Sequence, residues 1–108
     1  MKMAEKIRVC AEGEIEDGGF KVIALREPVA IFNLGGEYYA LNDHCTHEKC
    51  SLTQEGYVIG DELECGWHYA KFSIRTGEVT APPATRNLKT YQVLVEGSEI
   101  FVVIPDPE

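Results

Sequence analysis

Histidine and cysteine residues are concentrated in one short part of the chain. All three histidines and three of the four cysteines lie between residues 44 and 68. They form two segments, Cys45-Thr46-His47 and Cys65-Gly66-Trp67-His68, separated by residues 48 to 64. Within each segment a thiolate and an imidazole are close enough along the chain to reach one metal centre. Together the segments supply two sulfur and two nitrogen ligands.

Two kinds of metal centre use this ligand set. A structural zinc ion takes two cysteines and two histidines in a tetrahedron, whereas a Rieske [2Fe–2S] cluster places two cysteines on one iron and two histidines on the other. Zinc fingers of the common type have both cysteines before both histidines. Here the order alternates, as a Rieske cluster requires if each segment gives one ligand to each iron.

The elements that must position these segments are short apolar runs separated by glycine. Residues 20–25 and 29–34 are predicted as buried strands, and Gly35-Gly36 as a two-residue hairpin turn. Similar patterns predict hairpins around Gly60-Asp61 and Gly97-Ser98. No window of a dozen residues keeps a 3.6-residue apolar period, so we expect an all-β domain with at most a short turn of helix.

Composition limits the class of protein. The 108 residues suffice for one domain, and a formal charge of −8 argues against nucleic acid as a partner. No apolar run approaches the roughly 20 residues that cross a bilayer, and the first eight residues do not form a signal peptide. We therefore expect a cytoplasmic protein without a membrane partner, whose reduced cysteines serve as metal ligands rather than as disulfides.

At this point the sequence resembles a known family, the Rieske ferredoxins of bacterial aromatic-ring dioxygenases of the biphenyl, toluene and cumene type. The resemblance is carried by the following stretches: Cys45-Thr46-His47-Glu48-Lys49-Cys50-Ser51-Leu52-Thr53, Cys65-Gly66-Trp67-His68-Tyr69-Ala70-Lys71-Phe72, Arg75-Thr76-Gly77-Glu78-Val79 and the proline loop Ala81-Pro82-Pro83-Ala84. It extends over most of the chain in length and strand order.

The resemblance implies a fold, a cofactor and partners. It assigns Cys45 and Cys65 to one iron of a [2Fe–2S] cluster, and His47 and His68 to the other. It implies a single Rieske domain, with a cluster-binding lobe of about 43–84 inserted in a base of 1–42 and 85–108, and a Pro82-Pro83 loop that closes over the cluster. The protein would be a monomeric, non-enzymatic one-electron carrier between an NADH-dependent flavoprotein ferredoxin reductase and a terminal Rieske non-haem iron oxygenase.

Neighbouring residues indicate the redox level. Respiratory Rieske proteins add a disulfide and two hydroxyl donors to the cluster sulfurs. Here Cys50 matches the first cysteine of that disulfide, but Trp67 stands where the second would be, so we expect a free thiol at Cys50. Ala70 and Phe72 stand where those proteins have the hydroxyls. Because hydrogen bonds to sulfur stabilise the reduced state, we expect a potential at the low end of the Rieske range of about −150 to +300 mV.

Two alternative functions stay open on the sequence. One is a Cys2His2 structural zinc module, and the other is the small Rieske-like subunit of a nitrite reductase. Two further residues are expected to lie outside the chemistry: His44 as a surface histidine, and Cys10 as a small buried hydrophobic residue in the first strand.

Overall fold

The computed structural model describes residues 4–44, 51–66, 70–82 and 86–105. Over these ranges the chain is mostly strand and turn, with one 3-10 helix, Glu12–Glu14, and one short α-helix, α1, Leu52–Glu55. The strands are β1 (Glu5–Ala11), β2 (Phe20–Ala24), β3 (Pro28–Leu34), β4 (Glu37–Asn42), β5 (Tyr57–Ile59), β6 (Glu62–Glu64), β7 (Lys71–Ser73), β8 (Val79–Ala81), β9 (Thr90–Glu96) and β10 (Glu99–Ile104). The expected all-β class is confirmed. Neither helix in the described ranges has the length and apolar character needed to cross a membrane.

Six strands form the larger sheet, which we call the base sheet. Its order is β1-β10-β9-β4-β3-β2, and all its pairs are antiparallel. The two halves join through a narrow contact, where Ala40 pairs with Tyr91 and Leu41 with Thr90. Side chains from both halves meet in one buried cluster: Val9, Cys10, Ile15, Val29, Ile31, Ala40, Ile100 and Val102. The sheet therefore curls until its halves face each other.

Four strands that lie between β4 and β9 in the chain form a second, small sheet. Its order is β5-β6-β7-β8, again antiparallel. Strands alternate their side chains between two faces. One face of this small sheet packs on the outer face of the base sheet. The shared buried cluster contains Ala30, Phe32, Leu41, Leu52, Leu63, Cys65, Ala70, Phe72, Ile74 and Leu88. We call it the inter-sheet core.

Arg75, in the turn after β7, links the two sheets at their surface. Its guanidinium Nη1 donates to the Tyr39 hydroxyl at 2.8 Å and lies over the Tyr39 ring. Carboxylates of Glu37 in β4 and Asp61 in the β5–β6 turn each lie 3.6 Å from guanidinium nitrogens. The small sheet is thus held to the base by an apolar core and by this polar contact.

Two expectations about individual strands need correction. Residues 20–25 were predicted as a buried strand, yet β2 is an edge strand whose Phe20 and Val22 are exposed. An apolar run predicts a strand without showing how many neighbours cover it. Strand β8 was not predicted, and Ala81 belongs to it. It lies at the edge of the small sheet, which is where a strand followed by proline is tolerated.

Candidate metal centre

The segment 45–50 is closed at its base by the residues on either side of it. His44 and Ser51 form an antiparallel bridge, and the Leu52 N–H donates to the Asp43 carbonyl at 2.7 Å. On one side β4 ends at Asn42, and on the other Ser51 starts α1, its hydroxyl accepting from the Gln54 N–H at 3.2 Å. The residues just before and just after the segment 45–50 are therefore held next to each other.

The second segment begins with Cys65 and Gly66, directly after β6 and before β7 in the β6–β7 hairpin. The Cys65 N–H donates to the Ala70 carbonyl at 2.7 Å, which adds a backbone hydrogen bond beyond the pairing of β6 with β7. Cys65 directly follows β6 and is 0% exposed, and its side chain belongs to the inter-sheet core. Cys65 thus stands at the junction between the packed small sheet and the hairpin tip.

Two glycines allow a close contact between the end of α1, which follows the first segment, and the start of the second segment. We call these two stretches the segment bases. A Cβ atom added at Gly66 would lie 1.8 Å from the carbonyl oxygen of Glu55, and one at Gly56 would lie 2.2 Å from that of Glu64. No side chain fits at such distances. The end of α1, which follows the first segment, therefore packs backbone to backbone against the start of the second.

The predicted ligands are only partly described by the structure. Cys65 lies in a described range, whereas Cys45, His47 and His68 lie outside the described residues. Among the described residues alone, no group of three or more His, Cys, Asp and Glu side chains gathers in a way that could hold a metal ion. The structure therefore describes the contact between the segment bases, but it does not describe the full ligand set.

The other residues named from the sequence occupy varied positions. His44 is exposed and Cys10 is buried at 1% exposure, as expected for both. Pro82 is an exposed turn residue after β8. Cys50, Trp67 and Pro83 lie outside the described residues, so the free thiol expected at Cys50 stays a prediction.

Polar contacts fix the strand end that leads into the first segment. The Asn42 N–H donates to the Lys89 carbonyl at 2.9 Å, and the Asn42 side chain accepts from the His44 N–H at 2.9 Å. The Lys89 ammonium lies 3.0 Å from the Glu27 carboxylate. This hydrogen-bonded pairing lowers the pKa of Glu27 and raises the pKa of Lys89. Both partners stay charged around neutral pH and tie the β2–β3 turn to the residues before β9.

Three contributors to the site were not found from the sequence. Gly66 appears in the sequence only as part of the Cys65–His68 motif and Gly56 belongs to no motif, because a close backbone approach depends on tertiary packing. Asp43, just before the first segment, is 3% exposed and accepts hydrogen bonds from Ser51 and Thr53, which follow that segment. Its only signal in the sequence is a carboxylate two residues before Cys45.

The described residues fit an iron–sulfur group with mixed ligands. Cys65 offers a buried thiol at the point where both segment bases meet, and a thiolate is the ligand that iron–sulfur clusters require. The surrounding core is apolar, which limits water at the sulfur. When bound, a Rieske-type cluster supplies reversible uptake of one electron.

Comparisons with known proteins agree with this chemistry. Residues 5–92 match the Rieske [2Fe-2S] domain. The biphenyl dioxygenase ferredoxin subunit of Pseudomonas sp. (strain KKS102) is 41% identical over 96 residues, 88% of each chain. The 3-phenylpropionate/cinnamic acid dioxygenase ferredoxin subunit of Shigella boydii serotype 4 (strain Sb227) is 40% identical over 104 residues, covering 95% of this chain and 97% of that one.

A solved structure shows the same fold. A chain of the complex of reduced oxygenase and oxidised ferredoxin in carbazole 1,9a-dioxygenase superposes with a TM-score of 0.87 at 30% identity, over 95% of this chain and 96% of that chain. The protein therefore belongs to the Rieske [2Fe-2S] domain family. Within the family it is of the ferredoxin type, an electron-transfer component that carries a Rieske-type cluster and is not itself an enzyme.

Proposed function

We propose that this protein is a one-electron carrier with a low-potential [2Fe–2S] cluster held by Cys45, His47, Cys65 and His68. In this proposal the two thiolates bind one iron and the two imidazoles bind the other. The observation that carries it is the backbone contact between the two segment bases, beside the buried Cys65. That contact brings the chain that follows the first segment, at the end of α1, against the start of the second segment, and so supports a shared site.

The proposed electron donor is an NADH-dependent flavoprotein ferredoxin reductase, and the proposed acceptor is the terminal oxygenase of an aromatic-ring dioxygenase. Support comes from the relatives, which are named as ferredoxin subunits of such dioxygenases, and from the solved complex of a similar ferredoxin with its oxygenase. The formal charge of −8 favours partners with basic docking surfaces.

We further propose that residues of about 43–84 act as a cluster-binding lobe inserted in a base of 1–42 and 85–108. The position of β5 to β8 between β4 and β9 in the chain supports this division. The carrier is proposed to act as a monomer in the cytoplasm, where thiols such as buried Cys10 stay reduced.

The first test is the identity of the metal centre. The purified protein should be coloured and contain iron and acid-labile sulfide in equal amounts, about two of each per chain. Cys65→Ala should lose the cluster, while Cys10→Ala, which removes an equally buried thiol from the base sheet, should retain it. A colourless protein that holds one zinc ion would overturn the proposal.

The second test is electron delivery. The loaded protein is mixed with NADH, a dioxygenase-type flavoprotein reductase and each of a panel of terminal oxygenases, and hydroxylated product is measured with and without the carrier. We expect at least one oxygenase whose product formation requires it. If no oxygenase responds and the protein instead restores a nitrite reductase depleted of its small subunit, the proposed partners are wrong although the cluster is right.

A further inference from the structure

Asp43 is a charged residue that the fold buries beside the first ligand segment. It is 3% exposed, whereas aspartate is almost never fully buried unless its charge is paired or hydrogen-bonded. It lies two residues before Cys45, so the Cα atoms of these residues are at most about 7.6 Å apart. Such a burial needs a physical reason, because desolvating a carboxylate is costly.

The hydrogen bonds of Asp43 cross the opening of the segment 45–50. Its Oδ1 accepts from the Thr53 N–H at 2.9 Å, and its Oδ2 accepts from the Thr53 hydroxyl at 3.0 Å and the Ser51 hydroxyl at 2.5 Å. Asp43 comes before the segment, while Ser51 and Thr53 come after it. One carboxylate thus joins the two ends of the segment.

The backbone of Asp43 is fixed as firmly as its side chain. Its N–H donates to the Pro28 carbonyl at 2.9 Å, at the start of β3, and its carbonyl accepts from the Leu52 N–H at 2.7 Å. Leu52 is 0% exposed and belongs to the inter-sheet core. The Asp43 backbone is therefore hydrogen-bonded to the base sheet at Pro28 and to Leu52 at the start of α1.

We propose that Asp43 is a positioning residue of the metal centre, which fixes the ends of the segment 45–50 and places a fixed negative charge beside the site. This inference rests on the proposed function, since it takes Cys45 and His47 as ligands. By holding both ends, Asp43 sets where these two ligands stand relative to Cys65. Hydrogen-bonded groups that orient metal ligands typically contribute about 10- to 100-fold to metal affinity.

The negative charge gives Asp43 a second effect, which purely structural residues lack. Adding an electron to the site places more negative charge near this carboxylate, and the repulsion disfavours the reduced state. Coulomb interactions grow as the local dielectric constant falls, and salt screens buried groups less than exposed ones. Asp43 should therefore lower the reduction potential, in addition to the effect of the missing hydroxyls at positions 70 and 72.

Two variants separate positioning from charge. Asp43→Asn removes the charge and weakens the hydroxyl contacts, so we expect about tenfold faster loss of visible absorbance in excess chelator and a higher potential by voltammetry. Thr53→Val removes one hydroxyl donor and keeps the carboxylate, so cluster loss should again be faster while the potential stays unchanged.

The matched control is Asp17→Asn. Asp17 also accepts a backbone N–H, from Gly35 at 2.7 Å, but it does so at the opposite end of the β3–β4 hairpin. Neither cluster loss nor potential should change in this variant. Far-UV circular dichroism is recorded for each protein to confirm that it is folded.

Each outcome supports or overturns the inference. Unchanged cluster loss in Asp43→Asn and Thr53→Val overturns positioning, and an unchanged potential in Asp43→Asn overturns the charge effect. If Asp43→Asn does not fold while Thr53→Val behaves as the unaltered protein does, Asp43 is only structural and the inference is wrong. A colourless unaltered protein would instead overturn the proposed function itself.

Discussion

At the residue scale, Ala70 and Phe72 lie in the same buried cluster as Cys65, and neither side chain carries a hydroxyl. Both are 0% exposed and share the inter-sheet core with Cys65. A hydroxyl at either position would be enclosed in the same core as the thiolate. Donors near cluster sulfurs stabilise the reduced state, which carries more negative charge. We predict that Ala70→Ser with Phe72→Tyr raises the reduction potential, as measured by voltammetry.

A matched control is available for the aromatic change. Phe101→Tyr adds the same hydroxyl on β10 of the base sheet, where Phe101 is half-buried and lies near Lys6. Its potential should equal that of the unaltered protein. A double variant that stays folded and loaded but shows no rise would refute the expectation that the missing hydroxyls lower the potential.

Cys10 offers a test of burial at a residue away from the metal centre. It is 1% exposed in the core of the base sheet, and burial raises the pKa of its thiol. A raised pKa means that the contribution to stability is complete below the unfolded thiol's pKa, about 8.5. It is then lost as pH rises towards the higher folded value, because the unfolded chain ionises first.

We predict that Cys10→Ala lowers stability at neutral pH by about 1 kcal/mol, a common size for a single substitution. The difference between the two proteins should shrink above about pH 8.5, since alanine has no thiol to ionise. Thermal unfolding followed by circular dichroism at a series of pH values measures this difference. A difference that does not vary with pH would contradict the argument.

At the scale of elements, the contact between α1 and the β6–β7 hairpin depends on two glycines. A side chain at Gly66 must displace the Glu55 carbonyl, so the two segment bases have to move apart. Overpacking of this kind typically costs about 1–3 kcal/mol. We predict that Gly66→Ala lowers both the unfolding temperature and the iron content per chain.

Gly13→Ala is the control for this change, because a Cβ at Gly13 meets nothing within 4 Å. It should have the iron content and unfolding temperature of the unaltered protein. If Gly66→Ala kept full iron content, close approach at this contact would not be needed for the site.

The elements also show what a sequence can predict. Strands β3 and β4 were predicted because runs rich in apolar and aromatic residues flank Gly35-Gly36, whose positive φ angles suit a hairpin turn. The exposure of β2 could not be predicted, because it depends on which strands lie beside it. For the same reason Val79–Ala81 was missed, since three residues form a strand only with β7 to pair with.

The candidate site divides in a similar way. The four proposed ligands were predicted from their residue types and spacing, which are local properties of the sequence. The contributions of Gly56, Gly66 and Asp43 were not, because they arise from contacts between residues that are near each other only in the fold. Asp43 joins Ser51 and Thr53 across the whole first segment, and no local pattern shows that the side chain is buried.

At the scale of the whole molecule, the buried core of the base sheet is separate from the region of the proposed metal centre. The base sheet has its own buried cluster, and the small sheet is attached through the inter-sheet core and Arg75. Both segment bases lie where the small sheet meets α1. Substitutions within the base-sheet cluster should therefore change stability more than potential, as the Cys10 comparison tests.

The net charge acts over the whole molecule and concerns encounters with partners. With 18 acidic and 10 basic residues, the protein has a formal charge of −8. A field of this kind attracts a partner with a basic docking surface and raises the association rate, by about tenfold or more in steered pairs. Salt shortens its reach, from about 10 Å at 0.1 M to about 3 Å at 1 M.

We therefore predict that the second-order rate constant for electron transfer to the proposed oxygenase acceptor, and from the proposed reductase donor, falls by about tenfold or more as salt rises to 1 M. Stopped-flow absorbance measures both reactions. Removing two exposed acids with Glu5→Gln and Glu16→Gln should reduce the slope against ionic strength. The control is the first-order rate constant for electron transfer within the complex, measured at a saturating concentration of the partner. It should change little with salt, because this step follows docking. Rate constants indifferent to salt would show that the charge does not steer these encounters.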